Sequence, residues 1–358
     1  MKRIMVIGKN GQVGWELHRS LAPLGKIWAY DRHELDLQHP DAICRAVREI
    51  KPDLIVNAAA YTAVDKAETD QDMAYSINAA APGILAEEAK KCGAIFVHFS
   101  TDYVFDGSGT KPYLEEDLTG PLNVYGKTKL EGELAVQALS GKHLILRTSW
   151  VYGMRGKNFL LTMLRLEKEK EVLRIVNDQW GAPTWSHFIG DTTAQILHRI
   201  FTLRDRNDLW GTYHLTSSGE TSWFGFAEEI FRLRGNSFNL ETAVQDSKVM
   251  QDFKLGSLSM GANHSQKVKA ALIENDYGSK DCANLFSSTA VSRFSSIPIL
   301  EPILSSEYPM PAARPRYSVL SNQKLANAFE LAIPHWKEGL RLSMCSSSHT
   351  PELIEKQP

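Results

Sequence analysis

The sequence predicts an α/β protein built on a doubly wound parallel sheet, followed by a smaller C-terminal lobe. Short apolar runs without polar alternation recur through the first 150 residues, as in strands that are covered on both faces. Amphipathic stretches of helical length separate these runs, and this alternation is typical of parallel sheets. The chain has 358 residues, of which 43% are hydrophobic and 23% charged, so it is long enough for two domains with sizeable cores.

Five apolar runs in the N-terminal part are predicted to be buried strands, because each is too short for a helix. The clearest helical stretches among them span residues 41–50 and 72–91, and a further one follows the first strand with the sequence WELHRSLA. Later in the chain, residues 184–203 predict a helix, 211–215 a strand and 222–232 another helix. The five predicted strands are residues 3–7, 26–30, 54–57, 94–100 and 143–149.

These elements predict a first domain over residues 1–150, completed by the helix and strand around 184–215, and a second lobe over residues 151–340. Between residues 242 and 297 the periodicity is lost and Ser, Gly and Asn become frequent. Stretches of this length without a pattern are unusual in a compact domain, so we expect a mobile surface insertion, with a functional lid as the alternative. The polar segment 343–358 is expected to be a disordered tail.

The bulk composition excludes several classes of protein. A net charge of −2 argues against a nucleic-acid-binding protein, which needs a clustered excess of Lys and Arg. No stretch approaches the roughly 20 apolar residues that span a bilayer, and the apolar run at the N-terminus is too short for a signal peptide. The cysteines lie far apart, at residues 44, 92, 282 and 345, so we expect reduced thiols in a cytoplasmic protein.

Three glycines follow the first predicted strand and precede the first predicted helix. Gly8, Gly11 and Gly14 have the spacing G-x-x-G-x-x-G. Glycines in this context permit a tight turn and let the backbone approach a pyrophosphate, which then sits at the N-terminus of the helix. The alternative is a glycine-rich turn without a ligand. The strand and helix on either side favour a dinucleotide site, so we predict a Rossmann-type domain that binds NADPH or NADH.

The end of the second predicted strand carries two residues that could distinguish the cofactors. Asp31 could accept hydrogen bonds from both ribose hydroxyls of NADH, whereas Arg32 could receive the 2′-phosphate of NADPH. The pair therefore leaves the cofactor ambiguous. The next loops that could reach the adenine and ribose contain Asp36 and Leu37, and then Ala60, Tyr61 and Thr62, although a role in turns and capping explains them about equally well.

A threonine, a tyrosine and a lysine form the candidate catalytic set. Thr101 follows the fourth predicted strand, at the edge of the sheet where ligands bind in such folds. Tyr125 and Lys129 are four residues apart, so they share one face of a helix. Thr101 could donate to a carbonyl oxygen and Tyr125 could protonate it, while the Lys129 ammonium would hold the pKa of the phenol down. This arrangement suits a reaction in which hydride reaches carbon from a cofactor.

Several motifs, some of them longer than generic ones, resemble the extended short-chain dehydrogenase/reductase superfamily and, within it, the dTDP-4-dehydrorhamnose reductases. The resemblance covers residues 1 to about 235 and about 298 to 340. It implies NAD(P)H-dependent reduction of the C4 ketone of a dTDP-linked deoxysugar to dTDP-L-rhamnose, and a homodimer. The motifs are GKNGQVGWEL, VNAAAYTAVDKAE, STDYVFDG, PLNVYGKTKLEGE, RTSWVYG, NDQWGAPT, GTYHL, SGETSWFGFA and EYPMPAARPRYSVL.

Carried over residue by residue, the resemblance implies roles for individual side chains. Thr101, Tyr125 and Lys129 form the catalytic set, with Tyr125 as the proton donor. Trp150 would give an apolar wall for a sugar face, although core packing is the alternative. The expected substrate contacts are Thr101, Asp102, Tyr103 and Trp150, and the expected cofactor contacts are Gly8, Gly11, Gln12, Val13, Gly14, Asp31, Arg32, Asp36, Leu37, Ala60, Tyr61, Thr62, Phe99, Tyr125 and Lys129.

Three features depart from the family pattern. The late motif usually carries two adjacent arginines, but this chain has Ala313 and Arg314, so Arg314 would contact the substrate phosphates alone. Some members bridge a dimer through Mg²⁺ held by glutamates; Glu16 matches one such position, whereas His187 replaces the other. Imidazole suits this hard cation poorly, so we do not expect a metal. The third departure is the insertion at 242–297, which could reshape the pocket.

Three other functions remain open at this point. The closest rivals are a dehydratase or an epimerase of the superfamily. A dehydratase would carry a glutamate at the position of Tyr103, so the single carboxylate here disfavours dehydration. A reductase of another 4-keto-deoxysugar nucleotide, of the streptose type, fits the same residues. A non-catalytic NADP-binding regulatory subunit is the alternative from another class, and the intact Thr101, Tyr125 and Lys129 set disfavours it.

Overall fold

The computed structural model describes residues 1–139, 141–203, 207–237 and 297–347. The predicted insertion at 242–297 therefore lies, except for its last residue, outside the described residues. The same holds for the part of the predicted tail from residue 348 onwards. The four ranges contain the whole of the predicted sheet and all of the candidate site residues.

Six parallel strands form the central sheet, in the order β2–β1–β3–β4–β5–β10. Every predicted strand is present, with bounds that differ by at most one residue at either end. Three two-stranded pairs lie outside it: β6 with β9, β7 with β12, and β8 with β11. The strands are β1 (Lys2–Ile7), β2 (Gly25–Tyr30), β3 (Leu54–Asn57), β4 (Ile95–Thr101), β5 (His143–Thr148), β6 (Val151–Tyr152), β7 (Val172–Val176), β8 (Trp180–Gly181), β9 (Thr184–Trp185), β10 (Gly211–His214), β11 (Thr221–Ser222) and β12 (Ile299–Ile303).

Helices follow most of the central strands, as the alternating pattern predicted. None of the helices in the four described ranges is long and apolar enough to cross a membrane. A π-helical turn, Ser76–Ala80, interrupts the stretch predicted as one helix over residues 72–91. The α-helices are α1 (Gln12–Ser20), α2 (Pro40–Ile50), α3 (Val64–Ala67), α4 (Gln71–Tyr75), α5 (Ala81–Cys92), α6 (Val124–Ala138), α7 (Phe159–Leu166), α8 (Ser186–Thr202), α9 (Trp223–Ser237), α10 (Gln323–Phe329) and α11 (Trp336–Ser347).

Both faces of the sheet are covered, which confirms the doubly wound α/β class. Successive residues of a strand point to opposite faces. Ile4 and Val6 of β1 therefore pack with residues of α1, α8 and α10, whereas Met5 and Ile7 pack with residues of α2, α5 and α6. This explains why the strands read as continuous apolar runs in the sequence.

A second core lies beside the sheet and is built from α7, α9, α11 and the β7–β12 pair. Its buried centre includes Phe226, Phe231 and Trp336. The predicted start of the tail at residue 343 is wrong, because α11 continues to Ser347 and the side chain of Ser343 is fully buried. The division of the chain into domains at residue 150 stays a prediction.

Helix α6 lies unusually close to its neighbours at two glycines. A Cβ atom on Gly132 would stand 2.1 Å from the carbonyl oxygen of Asn78 in the π-helical turn. A Cβ atom on Gly126 would stand 2.2 Å from the carbonyl oxygen of Tyr103. Both obstacles are backbone atoms, so a side chain at either position requires the helix to move.

We expect Gly132→Ala to lower the free energy of unfolding by about 1–3 kcal/mol, because overpacking shifts α6 away from the π-helical turn. Urea denaturation measures the change. Gly83→Ala in α5 is the control, since its Cβ atom would meet only the Cβ atom of Ala135, at 3.2 Å. Equal stability of Gly132→Ala and Gly83→Ala would contradict the close packing of α6.

Candidate active site

The candidate site lies where β1, β3 and β4 end and α6 begins. Because these strands are parallel and adjacent, their carboxyl ends meet at one edge of the sheet. The loops that follow them hold the glycine turn, residues 58–62 and residues 101–103. The expected cofactor and catalytic residues are thereby gathered at one edge, as ligand sites in this fold class require.

The glycine turn has the geometry of a phosphate cradle. Gly8 has a φ of +91°, which favours glycine, and its N–H donates to the carbonyl oxygen of Tyr30 over 2.8 Å. A Cβ atom on Gly14 would lie 2.0 Å from the carbonyl oxygen of Gly8. The N-cap of α1 is Gly11, which has no side chain to cap the first amides. These amides therefore remain available to an anion such as a pyrophosphate.

Gln12 and Val13 follow the turn in different environments. The Gln12 side chain accepts from Asn158 Nδ2 over 2.9 Å, which ties the turn to the start of α7. Val13 is half-buried and packs against the core on its side of the sheet. Since both side chains are engaged with protein, a contact of these residues with the cofactor would use their backbone amides.

Asp31 is held by its own loop at the end of β2. Its Oδ1 accepts from the backbone N–H of His33 over 2.8 Å, and its Oδ2 accepts from Asn10 Nδ2 over 2.9 Å. The bond from His33 is the largest cause of the lowered pKa of this carboxyl. Arg32 beside it is exposed. The geometry keeps both candidates near the cofactor edge and leaves the choice between NADH and NADPH open.

The remaining residues expected around the nucleotide divide into core and loop positions. Leu37 and Phe99 are only 6% and 8% exposed and pack in the core on opposite faces of the sheet. Asp36 accepts from the N–H of Gln38 over 3.0 Å. Ala60, Tyr61 and Thr62 follow β3, and Asn78 holds this loop by accepting from the N–H of Tyr61 over 2.8 Å. Their contacts with a nucleotide stay predictions.

Thr101 and Tyr125 lie together at the edge of the sheet, and Lys129 follows Tyr125 by one turn on the same face of α6. Thr101 ends β4, and its hydroxyl lies near the phenol of Tyr125, whose pKa it lowers against the larger effect of burial. Asn123 caps α6 by accepting from the N–H of Gly126 over 2.8 Å. Glu68 accepts from the N–H of Val124 over 2.9 Å. The first turn of α6 is thus fixed by side chains, and Tyr125 is fixed with it.

The expectation that Lys129 holds down the pKa of the phenol is wrong. The pKa of Tyr125 is raised to about 12, because burial disfavours the phenolate more than the Thr101 hydroxyl stabilises it, and the charge of Asp102 raises it further. The ammonium group of Lys129 is directed elsewhere: Nζ lies 2.6 Å from the carbonyl oxygen of Phe99 and 3.2 Å from His98 Nε2. Burial lowers the pKa of Lys129 to about 8.

Asp102 and Tyr103 adjoin the catalytic set. Asp102 is buried, and its Oδ1 accepts from the Thr101 hydroxyl over 2.9 Å. Burial raises the pKa of this carboxyl to about 6, although the hydrogen bond from Thr101 partly opposes the rise. The Tyr103 ring meets the Tyr125 ring edge to face, at a centroid distance of 5.5 Å and an angle of 76°. Both residues therefore border the space beside the phenol.

Trp150 follows β5 in a strained conformation. Its φ is +47°, in the left-handed region that few residues other than glycine adopt. Its indole is half-buried and stacks on that of Trp223, with the centroids 3.5 Å apart and the planes within 3°. One face of the ring is therefore covered by protein. Strain of this kind costs about 1–3 kcal/mol and is concentrated at functional sites.

Arg314 lies in the late segment that returns to the site. Its guanidinium forms a bidentate pair with Asp65, at 2.9 and 2.7 Å, and also donates to the carbonyl oxygen of Ala312 over 2.7 Å. Asn123 donates to the carbonyl oxygen of Ala313 over 2.7 Å. The late segment is thus anchored to α3 and to the cap of α6, close to Tyr103.

Glu16 is part of a charged cluster between α1 and α8. Its Oε2 lies 3.1 Å from Arg19 Nε and 3.0 Å from His187 Nδ1. Asp191 pairs with the same two partners. Within the described ranges no group of three or more His, Cys, Asp or Glu side chains is placed to hold a metal ion. The carboxylate of Glu16 is already paired with the Arg19 guanidinium, and a role in binding Mg²⁺ is not supported by this donor set.

Four contributors to the site were not identified from the sequence. Asn78, His98 and Asp65 hold Tyr61, Lys129 and Arg314 respectively, and Asn123 caps α6. Two of them carried a signal that could have been used. Asparagine immediately before a helical pattern is a favoured N-cap, and a histidine within a continuous apolar strand must find a buried partner.

Comparison with known proteins finds dTDP-4-dehydrorhamnose reductases that match nearly the whole chain. A family model described as the RmlD substrate binding domain matches residues 1–254 and 278–348. The dTDP-4-dehydrorhamnose reductase of Burkholderia thailandensis is 44% identical over 341 residues, which are 95% of this chain and 97% of the relative. That of Escherichia coli K12 is 40% identical over 342 residues, with 94% and 95% covered.

Solved structures agree with these matches. The crystal structure of dTDP-4-dehydrorhamnose reductase from Bacillus anthracis in complex with NADP aligns with a TM-score of 0.73 at 31% identity, over 96% of this chain and 99% of that one. The UDP-glucose 4-epimerase of Thermus thermophilus in complex with NAD aligns with a TM-score of 0.66 at 17% identity, over 96% and 98%. At this identity the second structure shows the fold alone.

We expect Asp102→Asn to stabilise the protein at pH 8. Because the pKa of Asp102 is raised from 3.8 to about 6, the contribution of this carboxyl to stability is present below pH 4 and is lost as the pH rises through 6. Removing the buried charge should raise the free energy of unfolding at pH 8 by about 1–3 kcal/mol and have little effect at pH 4. Urea denaturation at both pH values measures the difference.

Asp106→Asn is the matched control, since hydrogen bonds from Ser108 lower the pKa of this carboxyl. It should show the opposite sign and destabilise the protein at pH 8. An Asp102→Asn variant that is as stable as the parent at both pH values would contradict the assignment of a raised pKa to Asp102.

Proposed function

The chain belongs to the RmlD substrate binding domain family, and we propose that it reduces the C4 ketone of dTDP-4-dehydrorhamnose (dTDP-4-dehydro-6-deoxy-L-mannose) with NAD(P)H. The product is dTDP-L-rhamnose, a precursor of lipopolysaccharide, O-antigen and other cell-surface polysaccharides. One observation carries the proposal within the site: the phenol of Tyr125, protonated and close to the Thr101 hydroxyl, lies at the same edge of the sheet as the glycine turn. The near-complete matches to reductases of this substrate support it.

The residues present fit a nicotinamide dinucleotide. The cofactor, when bound, supplies the hydride that reduces the carbonyl carbon. The turn from Gly8 to Gly14 and the amides of Gln12 and Val13 would receive its pyrophosphate at the N-terminus of α1. Asp31 or Arg32 would contact the adenosine ribose, as in related sites. NADP in the Bacillus anthracis structure supports a cofactor of this class.

Tyr125 is the proton donor in this proposal. A pKa of about 12 keeps the phenol protonated at neutral pH, which is the state that an acid requires. An alkoxide is a stronger base than a phenolate, so proton transfer from Tyr125 to the nascent alcohol is favourable. Thr101, whose hydroxyl donates to Asp102 in the structure, would turn its proton to the same oxygen and polarise the carbonyl before the transfer. Lys129 lies one helical turn away and would bond the nicotinamide ribose.

The deoxysugar would lie beside Asp102, Tyr103 and Trp150. Asp102 offers a buried carboxyl for sugar hydroxyls, and Tyr103 borders the phenol. The indole of Trp150, backed by Trp223, would cover an apolar face of the ring. The guanidinium of Arg314, already fixed by Asp65, would contact the diphosphate without the help of an adjacent arginine.

The same geometry disfavours the rival reactions. Dehydration needs a pair of acids, and the second position is filled by the phenol of Tyr103, whose pKa is raised by burial. A reductase of another 4-keto-deoxysugar nucleotide would use the same atoms, so the substrate must be distinguished by assay. We also propose a homodimer, which the family resemblance supports, and a location in the cytoplasm. The free thiols of Cys44 and Cys92 agree with the location. Cys282 lies outside the described residues.

Tyr125→Phe is expected to lower turnover by a factor on the order of 10²–10⁴, the usual contribution of a positioned acid, and to leave NAD(P)H affinity nearly unchanged. Stopped-flow turnover and fluorescence titration of NAD(P)H measure the two quantities. Tyr75→Phe is the control, because Tyr75 is exposed at the end of α4. Undiminished turnover would remove Tyr125 from the mechanism.

The proposed function itself is tested by substrate selection. Purified protein is offered dTDP-4-dehydrorhamnose and its C5 epimer, each with NADPH and with NADH, and the loss of absorbance by the reduced cofactor is followed. We expect consumption with dTDP-4-dehydrorhamnose and formation of dTDP-L-rhamnose. Preference for another 4-keto sugar would favour the related reductase, and consumption with neither would favour the regulatory subunit.

A further inference from the structure

The loop that follows β6 lies against the N-terminus of α1, where the cofactor pyrophosphate is expected. Asn158 holds this loop together, because its Nδ2 donates to the carbonyl oxygens of Gly153 and Arg155, over 2.8 and 3.2 Å. The same Nδ2 donates to Oε1 of Gln12, the first residue of α1, over 2.9 Å. Asn158 Oδ1 accepts from the N–H of Leu161 and so caps α7. The loop is therefore fixed to both helices.

Two glycines bring the loop close to α1. A Cβ atom on Gly156 would stand 3.3 Å from the Cγ atom of Gln12. A Cβ atom on Gly153 would stand 2.5 Å from Ser186 Oγ and 3.8 Å from Gln12 Oε1. Arg155 lies between the two glycines, so its backbone is held beside the first turn of α1.

The side chain of Arg155 contacts the same turn of α1. Its guanidinium lies over the indole of Trp15, with Cζ 3.9 Å from the ring centroid. Trp15 is the fourth residue of α1, and side chains on a helix lean toward its N-terminus. A guanidinium engages a ring through its face, whereas its N–H donors lie in its plane and stay available to a ligand. Within the four described ranges this guanidinium forms no ion pair or hydrogen bond.

Neighbouring cations of the glycine turn and α1 are already paired with carboxylates. Lys9, in the turn, pairs with Glu34, and Arg19, in α1, pairs with Glu16. The first turn of α1 carries no acidic side chain and its N-cap has no side-chain hydrogen bond. An anion at this end of α1 would therefore meet free backbone amides and, from the loop after β6, the unpaired guanidinium of Arg155.

We propose that Arg155 is a cofactor-binding residue whose guanidinium, held on Trp15, donates to the pyrophosphate of NAD(P)H. This role rests on the cofactor class of the proposed function. Phosphate oxygens accept strongly from a guanidinium, and its charge adds to the attraction of the helix N-terminus for an anion. Because Trp15 and Asn158 hold the side chain and its loop before the cofactor arrives, less conformational freedom is lost on binding. The assignment also gives a role to the indole of Trp15, which is 47% exposed.

The test removes the charge and its aromatic support separately. Arg155→Gln should weaken the binding of both NADPH and NADH by a factor on the order of 10, as the loss of a hydrogen bond between charged groups does. Arg155→Lys keeps the charge and should recover most of this affinity. Trp15→Leu removes the stacking surface and should weaken both cofactors by a smaller factor of about 2–5. Lys157→Gln, exposed on the same loop, is the matched control and should change neither affinity.

Fluorescence titration of the whole protein with NADPH and with NADH measures the dissociation constants without any sugar substrate. The two cofactors share the pyrophosphate and differ in the 2′-phosphate, so the loss of a pyrophosphate contact weakens both by the same factor. The affinity of Arg155→Gln should also fall less steeply with added salt than that of the parent protein, because one cation fewer attracts the cofactor. Urea denaturation shows that each variant is folded. A purely structural role of Arg155 would not change the salt dependence.

A loss of affinity for NADPH alone would assign Arg155 to the 2′-phosphate and overturn the proposal. Unchanged affinity in folded Arg155→Gln or Trp15→Leu would also overturn it, as would an equal loss in Lys157→Gln. If both cofactors bind less tightly to Arg155→Gln as expected but no 4-keto sugar nucleotide is reduced, the role of Arg155 stands and the proposed substrate fails. A parent protein that binds neither cofactor would remove both.

Discussion

The close approach of α6 to the backbone around it is the constraint on which the site depends. Gly126 and Gly132 leave no room for a side chain against the carbonyl groups of Tyr103 and Asn78. Only this approach brings the phenol of Tyr125 to the end of β4 and the amine of Lys129 to a carbonyl oxygen of the same strand. Catalytic groups that move by about 1 Å lose much of their effect, so the two glycines act on chemistry through position.

Burial gives the site its electrostatic character. Asp102, Tyr125 and Lys129 are an acid, a phenol and an amine, and removal from water favours the neutral form of each. The proton needed by an alkoxide is thus kept on Tyr125. A neutral phenol also avoids the large penalty for buried, unpaired charge, while Arg147 and Glu133 show how a buried charge is tolerated when it is paired. The protonation states of the site are therefore set mainly by desolvation.

Contacts over long sequence distances join the late segment and the second core to the same edge. Arg314 pairs with Asp65, and Asn123 bonds the carbonyl oxygen of Ala313 while it caps α6. Asn158, at the start of α7, bonds Gln12 in the first helix. The bond of Asn123 lies at the N-terminus of α6, which carries the expected catalytic residues. The bond of Asn158 ends at the N-terminus of α1, which carries expected cofactor residues. A substrate that engages the late segment would therefore act on the position of the catalytic set.

Local patterns determined much of this protein. Continuous apolar runs specified five of the six parallel strands, because strands covered on both faces need no polar alternation, and the spacing of Gly8, Gly11 and Gly14 specified the turn. The four-residue spacing of Tyr125 and Lys129 placed both on one face of α6. The π-helical turn at Ser76–Ala80 and the extent of α11 were missed, since packing sets such details after the helical pattern is satisfied.

The protonation states were decided only by the tertiary structure. The sequence placed a lysine near a tyrosine, and the expected lowering of the phenol pKa was wrong because burial raises it, while the Lys129 amine is directed at Phe99 and His98. The partner of Arg314 lies 249 residues away, beyond any local pattern. Spacing along a chain fixes which side chains share a face, whereas pKa values depend on burial and on partners that only the folded chain brings together.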